Sequence, residues 1–240
     1  MEAIDVIILA GGEGKRLRSI VGDFPKPLAE VGGRPFLDIL LDQLKKSNCV
    51  QRLVLAVGYK AEKIIARYEN SFVYNFDILF SIEEKLLGTA GAIKKAMGYI
   101  TTDTFLAMNG DSYTEFDLTS LIKAHIAHSA KLTVVLVKVQ DASRYGSVKI
   151  DAQNKITSFE EKKQINEPGL INSGIYMMQK DIFRGIEENG VISMEKELLP
   201  TLIKRMKGSI YGYIADGKFI DIGVPQTYRT ASKYLENIGR

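Results

Sequence analysis

Between Leu9 and Leu17 the chain reads Leu-Ala-Gly-Gly-Glu-Gly-Lys-Arg-Leu. Glycines in a loop of this kind tolerate positive φ and let backbone N–H groups come close to phosphate oxygens. Two familiar phosphate loops fail on spacing. A Walker A loop needs Ser or Thr after Gly-Lys, and Arg16 follows Gly14-Lys15 here. A dinucleotide fingerprint needs a third glycine where Leu17 stands. Taken alone, the loop also fits a plain glycine-rich turn. Ten residues on, Pro25-Lys26-Pro27 sets a lysine between two residues of fixed φ, which positions its ammonium. Arg16 and Lys26 would place two cations near a triphosphate.

Further segments carry side chains or small residues suited to a binding site. Asn109-Gly110-Asp111 closes an apolar run; it is a common turn, and its carboxylate also suits a hard cation such as Mg²⁺, which takes one or two carboxylates plus phosphate oxygens. Leu87-Gly88-Thr89-Ala90-Gly91 reads as a helix start with Thr89 as a possible N-cap. Phe159-Glu160-Glu161-Lys162 by itself is a charge run at a strand end, and Pro225, after Asp221-Ile222-Gly223-Val224, suits the first turn of a helix. His125 and His128 lie three apart on an expected helix without a third ligand, so they read as a solvated face, and two histidines make a histidine-based triad improbable. The single cysteine, Cys49, excludes an internal disulfide or a cysteine zinc cluster and reads as a small core or surface residue.

Gly-Gly-x-Gly-x-Arg-Leu with a following Pro-Lys-Pro is similar to the signature of the sugar-1-phosphate nucleotidyltransferases. The likeness continues, in the family's order, along essentially the whole chain. It implies transfer of a nucleotidyl group from a nucleoside triphosphate to a sugar 1-phosphate, with release of pyrophosphate and dependence on Mg²⁺. It assigns the nucleotide to Leu9, Ala10, Gly11, Gly12, Gly14, Lys15, Arg16, Lys26, Gly88, Thr89, Asn109 and Asp111. It assigns the sugar phosphate to Gly146 (of Tyr145-Gly146), Glu161, Lys162 and Asn172 (of Asn172-Ser173-Gly174). The metal falls to Asp111 and Asp221, and the catalytic set is Arg16, Lys26, Asp111 and Asp221. Pro-Lys-Pro together with Leu-Gly-Thr-Ala-Gly resembles the branch that handles mannose-type sugars with GTP or UTP. Within that branch the sequence looks most like the D-glycero-α-D-manno-heptose 1-phosphate guanylyltransferases. A mannose-1-phosphate guanylyltransferase, a UTP-dependent uridylyltransferase acting on an N-acetylmuramate or hexose 1-phosphate, and a catalytically silent nucleotide-sugar-binding module are the alternatives. None of the residues quoted physically selects guanine.

These residues need a frame to hold them. Val6 to Ala10 is an apolar, β-rich run without alternation, as expected of a strand buried on both faces. Leu37, Leu40, Leu41 and Leu44 share one face of a helix opened by Pro35. Strands at Arg52 to Val57, Asp77 to Ser81 and Thr104 to Met108 alternate with helices at about Ala61 to Tyr68 and Thr89 to Met97. That order gives an α/β, Rossmann-like, mostly parallel sheet flanked by helices. Strands at Lys131 to Lys138, Ser147 to Asp151, Ile156 to Glu161, Ile171 to Met178 and Ser209 to Ile214 read as an antiparallel sub-region for the sugar. Helices near Met194 to Met206 and Pro225 to Asn237 close the chain. The expectation is one domain over residues 1–240, with 1–130 mainly for the nucleotide and 131–240 mainly for the sugar phosphate. Apolar residues make up 45% and charged residues 25% of the 240, ordinary for a globular chain with a core. The net charge of +3 is spread without blocks, which disfavours nucleic-acid and membrane partners. No stretch approaches the ~20 apolar residues that span a bilayer. Small-molecule substrates and a cytoplasmic location are expected; oligomeric state is not legible.

Overall fold

A computed structural model describes residues 3–160 and 167–236. Strand β1 (Ile4–Ala10) lies at the centre of the main sheet, parallel to β4 (Val50–Val57) on one side and to β6 (Thr104–Asn109) on the other. Beyond β4, parallel β5 (Asp77–Ile82) forms that edge. The continuous apolar run of β1 is buried on both faces, as parallel strands under two helix layers must be. Val6, Ile8 and Ala10 join the cluster that holds Leu37, Leu40, Leu41 and Leu44, whereas Ile7 joins Ile93 and Ala96 on the opposite face. The leucine stripe belongs to α2 (Phe36–Ser47), which follows the short α1 (Arg18–Val21) and a small hairpin, β2 (Glu30–Val31) and β3 (Arg34–Pro35). Ile93 and Ala96 belong to α4 (Gly88–Ala96), after α3 (Ala61–Tyr68).

The second half extends the sheet from β6. Strand β11 (Gly169–Gln179) is antiparallel to β6 through its C-terminal part and to β9 (Ser147–Ile150) through its N-terminal part; β10 (Ile156–Glu160) pairs with β9. It also pairs with β8 (Leu132–Val139), with a register shift between Asn172 and Tyr176. Gly174, at φ 81°, lies in that irregularity, the backbone region where glycine is favoured. One strand departs from the expected antiparallel arrangement: β12 (Ile210–Ala215) runs parallel to β8, and α6 (Leu199–Arg205) lies in the connection that reverses the chain from β11, itself antiparallel to β8, into β12. Met194–Leu198 before α6 is a π-helical turn, so the single expected helix is two segments. A separate antiparallel pair, β7 (Ser112–Thr114) with β13 (Phe219–Asp221), had no expectation in the sequence. Helix α7 (Pro225–Leu235) follows, with Pro225 in its first turn.

Helix α5 (Leu118–Ala127) corrects the reading of the histidines. His125 is 2% exposed, and its Nδ1 lies 2.9 Å from the Thr133 hydroxyl of β8, while Nε2 is buried with no hydrogen-bond partner among the described residues. His128 is exposed and stacks on Tyr211. Burial lowers the His125 pKa to about 4 from an ordinary 6.5. The unfolded chain therefore binds this proton first, and stability from His125 is intact above pH 6.5 and drains away as pH falls towards 4, at up to about 1.4 kcal/mol per pH unit. Urea unfolding of wild type and His125→Leu across this window should show wild type losing stability relative to the variant as pH drops. A constant gap excludes His125 as the source.

Candidate active site

Three chain segments converge at the C-terminal ends of β1 and β6, where open α/β sheets bind ligands. The first is the glycine loop. Gly14 has φ 59°, and a Cβ there would stand 3.2 Å from the Lys26 Cβ, so the loop closes directly on Lys26. The second is the single 3₁₀ turn Lys26–Leu28, entered through Pro25. It turns Lys26 inward until only 8% of the residue is exposed. The third is the end of β6, where Gly110 N–H donates to the Leu9 carbonyl at 2.9 Å and ties the Asn109-Gly110-Asp111 turn to the loop.

The Lys26 ammonium donates to Asp111 Oδ2 at 2.6 Å. Asp221 reaches the same place from 110 residues further along the chain through the small sheet: it pairs with Ser112 in the β7–β13 ladder, and Ile222 N–H donates to the Asp111 carbonyl at 3.0 Å. Asp221 Oδ1 accepts the Gly223 N–H at 2.5 Å. Burial first, and then the charge of Asp111, hold the Asp221 carboxyl above its ordinary range, against the opposing pull of Lys26. Two carboxylates and one lysine thus meet where the turn between β6 and β7, the end of β13 and the Lys26–Leu28 turn adjoin.

Two cavities open from this junction. One, of ≈ 470 Å³, is lined by every residue assigned to the nucleotide: Leu9 through Gly12, Gly14 through Arg16, Lys26, Gly88, Thr89, Asn109 and Asp111. The other, of ≈ 370 Å³, is lined by Gly146, Asn172 and Asp221 together with Arg144, Phe159 and Glu195. Arg16, Asn109 and Asp111 line both. Glu161 and Lys162 lie outside the described residues. A further cavity, of ≈ 620 Å³ between α2 and β12, shares no lining residue with either.

Some assignments need correction in detail. Thr89 is not the N-cap of α4; Leu87 holds that position without a side-chain cap. The Thr89 hydroxyl instead donates to Glu195 and accepts the Met194 N–H. Lys15 is exposed and paired with Glu13 at 2.6 Å, whereas Arg16 has no ion-pair partner among the described residues. Two acidic residues were missed. Glu83 lines the nucleotide-side cavity, is buried, and accepts the Leu87 N–H at 3.1 Å through Oε2; Oε1 lies against Gly11. Burial raises its pKa, partly offset by the Leu87 hydrogen bond. Glu195 lies in the sugar-side cavity. In sequence both stand among other charges, Glu83-Glu84-Lys85 and Glu195-Lys196-Glu197, with nothing local to separate them from a solvated face.

The chain belongs to the nucleotidyl transferase family, whose model matches residues 5–238. It is 38% identical over 234 residues to the D-glycero-α-D-manno-heptose 1-phosphate guanylyltransferase of Aneurinibacillus thermoaerophilus, covering 98% of this chain and 99% of that one. It is 39% identical to the enzyme of that name from Campylobacter jejuni, over 94% and 97% of the two chains. The crystal structure of HddC from Yersinia pseudotuberculosis complexed with GMP-PN superposes with a TM-score of 0.83 at 38% identity, covering 96% of this chain and 98% of that one. Among the described residues, no helix is long and apolar enough to cross a membrane.

Proposed function

We propose that this chain, acting as one cytoplasmic domain, transfers the guanylyl group of GTP to D-glycero-α-D-manno-heptose 1-phosphate, feeding heptose into bacterial surface polysaccharide. Residues 1–130 mainly take the nucleotide and 131–240 mainly the sugar phosphate. The observation that carries the reading is that Arg16, Asn109 and Asp111 line both cavities, so reactants in the two would meet beside Lys26. The heptose-phosphate guanylyltransferases similar to it over nearly their whole length support the choice of substrates.

An oxygen of the sugar 1-phosphate attacks the α-phosphorus in line, the bond to the β-phosphate oxygen breaks, and pyrophosphate departs with the electron pair. The nucleophile is already an anion at neutral pH, so no general base is required. The barrier lies in bringing two anions together, and catalysis is charge neutralisation and positioning. Lys26 neutralises charge at the α-phosphate, Arg16 at the triphosphate and leaving pyrophosphate, and Lys162 holds the sugar phosphate. Asp111 and Asp221 offer only oxygen donors, and no group of three or more metal-binding side chains exists among the described residues. That donor set fits Mg²⁺, which keeps water and phosphate oxygens in its shell and uses one or two carboxylates. When bound there it supplies positive charge to the reacting phosphates.

Glu83 provides the base selection that no sequence motif explained. A carboxylate only accepts hydrogen bonds, and guanine presents N1–H and N2–H₂ side by side. Uracil flanks its single N3–H with two carbonyls, which a carboxylate repels. A matrix of nucleoside triphosphates against sugar 1-phosphates, with and without Mg²⁺, should release pyrophosphate best with GTP and the manno-heptose 1-phosphate. Glu83→Gln should lower kcat/KM for GTP by about 5–100-fold and narrow the gap to UTP, as expected when a charged acceptor facing the guanine donors is replaced by a neutral amide. Nucleotide binding without pyrophosphate release from any pair identifies a silent binding module instead.

A further inference from the structure

Glu195 has no role in the chemistry above, yet its carboxylate accepts three hydroxyl hydrogen bonds between the two cavities. Its Oε2 accepts the Thr89 hydroxyl at 2.8 Å and the Ser193 hydroxyl at 3.0 Å. Its Oε1 accepts the hydroxyl of fully buried Tyr176 at 3.1 Å. The Tyr176 oxygen in turn accepts Asn172 Nδ2–H at 2.7 Å, and Asn172 Oδ1 accepts the Gly174 N–H at 2.9 Å. Thr89 lines the nucleotide-side cavity and Asn172 the sugar-side cavity. The same segment holds the start of α4: the Ile192 carbonyl accepts the Ala90 and Gly91 N–H groups, and Ile192 N–H donates to Leu87.

We propose that Glu195 is the positioning residue that locks the two half-sites in register, one oxygen fixing the Thr89 end of the nucleotide cleft and the other, through Tyr176, the amide of Asn172. An in-line displacement is sensitive to the relative placement of its two reactants, and small misplacements lower the rate steeply. One carboxylate between two hydroxyl donors makes the placement of one half-site depend on the other. An amide keeps only one of the two acceptor oxygens, so either Tyr176 or the pair Thr89 and Ser193 loses its acceptor. The π-helical turn Met194–Leu198 carries Glu195 between α4 and β11, and such turns recur where a side chain is given a special direction.

This inference rests on the nucleotidyl-transfer reading, and its test separates the two. KM for GTP and for the sugar 1-phosphate are measured independently for each variant. Tyr176→Phe should raise KM for the sugar phosphate by about 2–10-fold and leave that for GTP unchanged, the size expected when Asn172 loses one hydrogen-bond partner. Thr89→Val should do the reverse. Glu195→Gln, nearly isosteric, should raise both and also lower kcat. Adding Tyr176→Phe to Glu195→Gln should raise the sugar-phosphate KM no further, because the two act through one link. KM does not depend on how much of a preparation is folded. A lower kcat with both KM values unchanged, or additive effects in the double variant, overturns the proposal. A wild-type chain that releases no pyrophosphate defeats the catalytic reading alone, and the same split is then sought in calorimetric binding constants for the two ligands.

Discussion

Asp221→Asn is expected to lower kcat by at least ~10²–10³ and, in the same protein, to raise the melting temperature of the ligand-free form. The first effect is the ordinary magnitude for removing one preorganised charge from a reacting centre. The second follows from the burial of Asp221 beside Asp111. Its folded-state pKa is raised above the ordinary 3.8, so the fold disfavours the ionised form. The carboxylate therefore lowers stability at neutral pH, and that penalty fades as pH falls through the raised value. Asparagine has the same shape, can still accept the Gly223 N–H, and carries no charge. Thermal melts should show the variant's advantage at pH 7 shrinking under mildly acidic conditions. Mg²⁺ with GTP should restore the order by stabilising wild type more than the variant. Asp111→Asn should lose comparable turnover. Near-normal turnover in either folded variant removes that residue from the metal site.

The opposite signs on activity and stability are what a functional site carries when its charges are placed for a ligand. They also explain what the sequence could disclose. Lys26 and Asp111 were legible because short local signals position them: prolines on both sides of the lysine, and an Asn-Gly-Asp turn at the end of an apolar run. The central strand was legible because Val6 to Ala10 has no polar face to expose. The convergence of Asp221 on Asp111 was expected only through family resemblance. The device that brings it about, the β7–β13 pair, consists of three-residue strands whose pairing is wholly non-local. His125 was misread for a related reason. A histidine on a helix has no sequence mark of facing β8, and tertiary packing against Thr133 decided its environment. Glu83 and Glu195 stood in charged runs, and only the turn of the backbone showed which carboxylate points inward. The parallel placement of β12 was hidden because β9, β10 and β11 intervene between it and its partner β8, and nothing local to β12 marks that pairing.

Lys26→Met should reduce kcat by about 10²–10³, as for loss of any preorganised cation at the α-phosphate, while shifting stability the other way from Asp221→Asn. With the ammonium gone, Asp111 and Asp221 are left as neighbouring carboxylates without their opposing charge. The folded protein should then lose up to about 1 kcal/mol at neutral pH, since solvent screens the half-exposed Asp111 side of the pair. The sign with pH is fixed by the same residues. Lys26 is what pulls the Asp221 carboxyl down against burial and Asp111. Removing it raises that carboxyl further, so the lost stability returns as pH falls through the new value. Lys26→Arg should not rescue turnover. The ammonium bonds Asp111 at 2.6 Å and lies so close to Gly223 that a Cβ there would stand 3.1 Å from Nζ. A planar guanidinium is larger and presents its donors in a fixed fork, so it does not reproduce the single point contact between the ammonium and Asp111. The decisive variant is Lys26→Met combined with Asp221→Asn. It should recover most of the melting temperature, because only one carboxylate remains, and none of the turnover, because the cation is still missing. Recovery of both would mean that Lys26 acts only by keeping the aspartates apart; recovery of neither would mean that its packing, not its charge, is what the site needs.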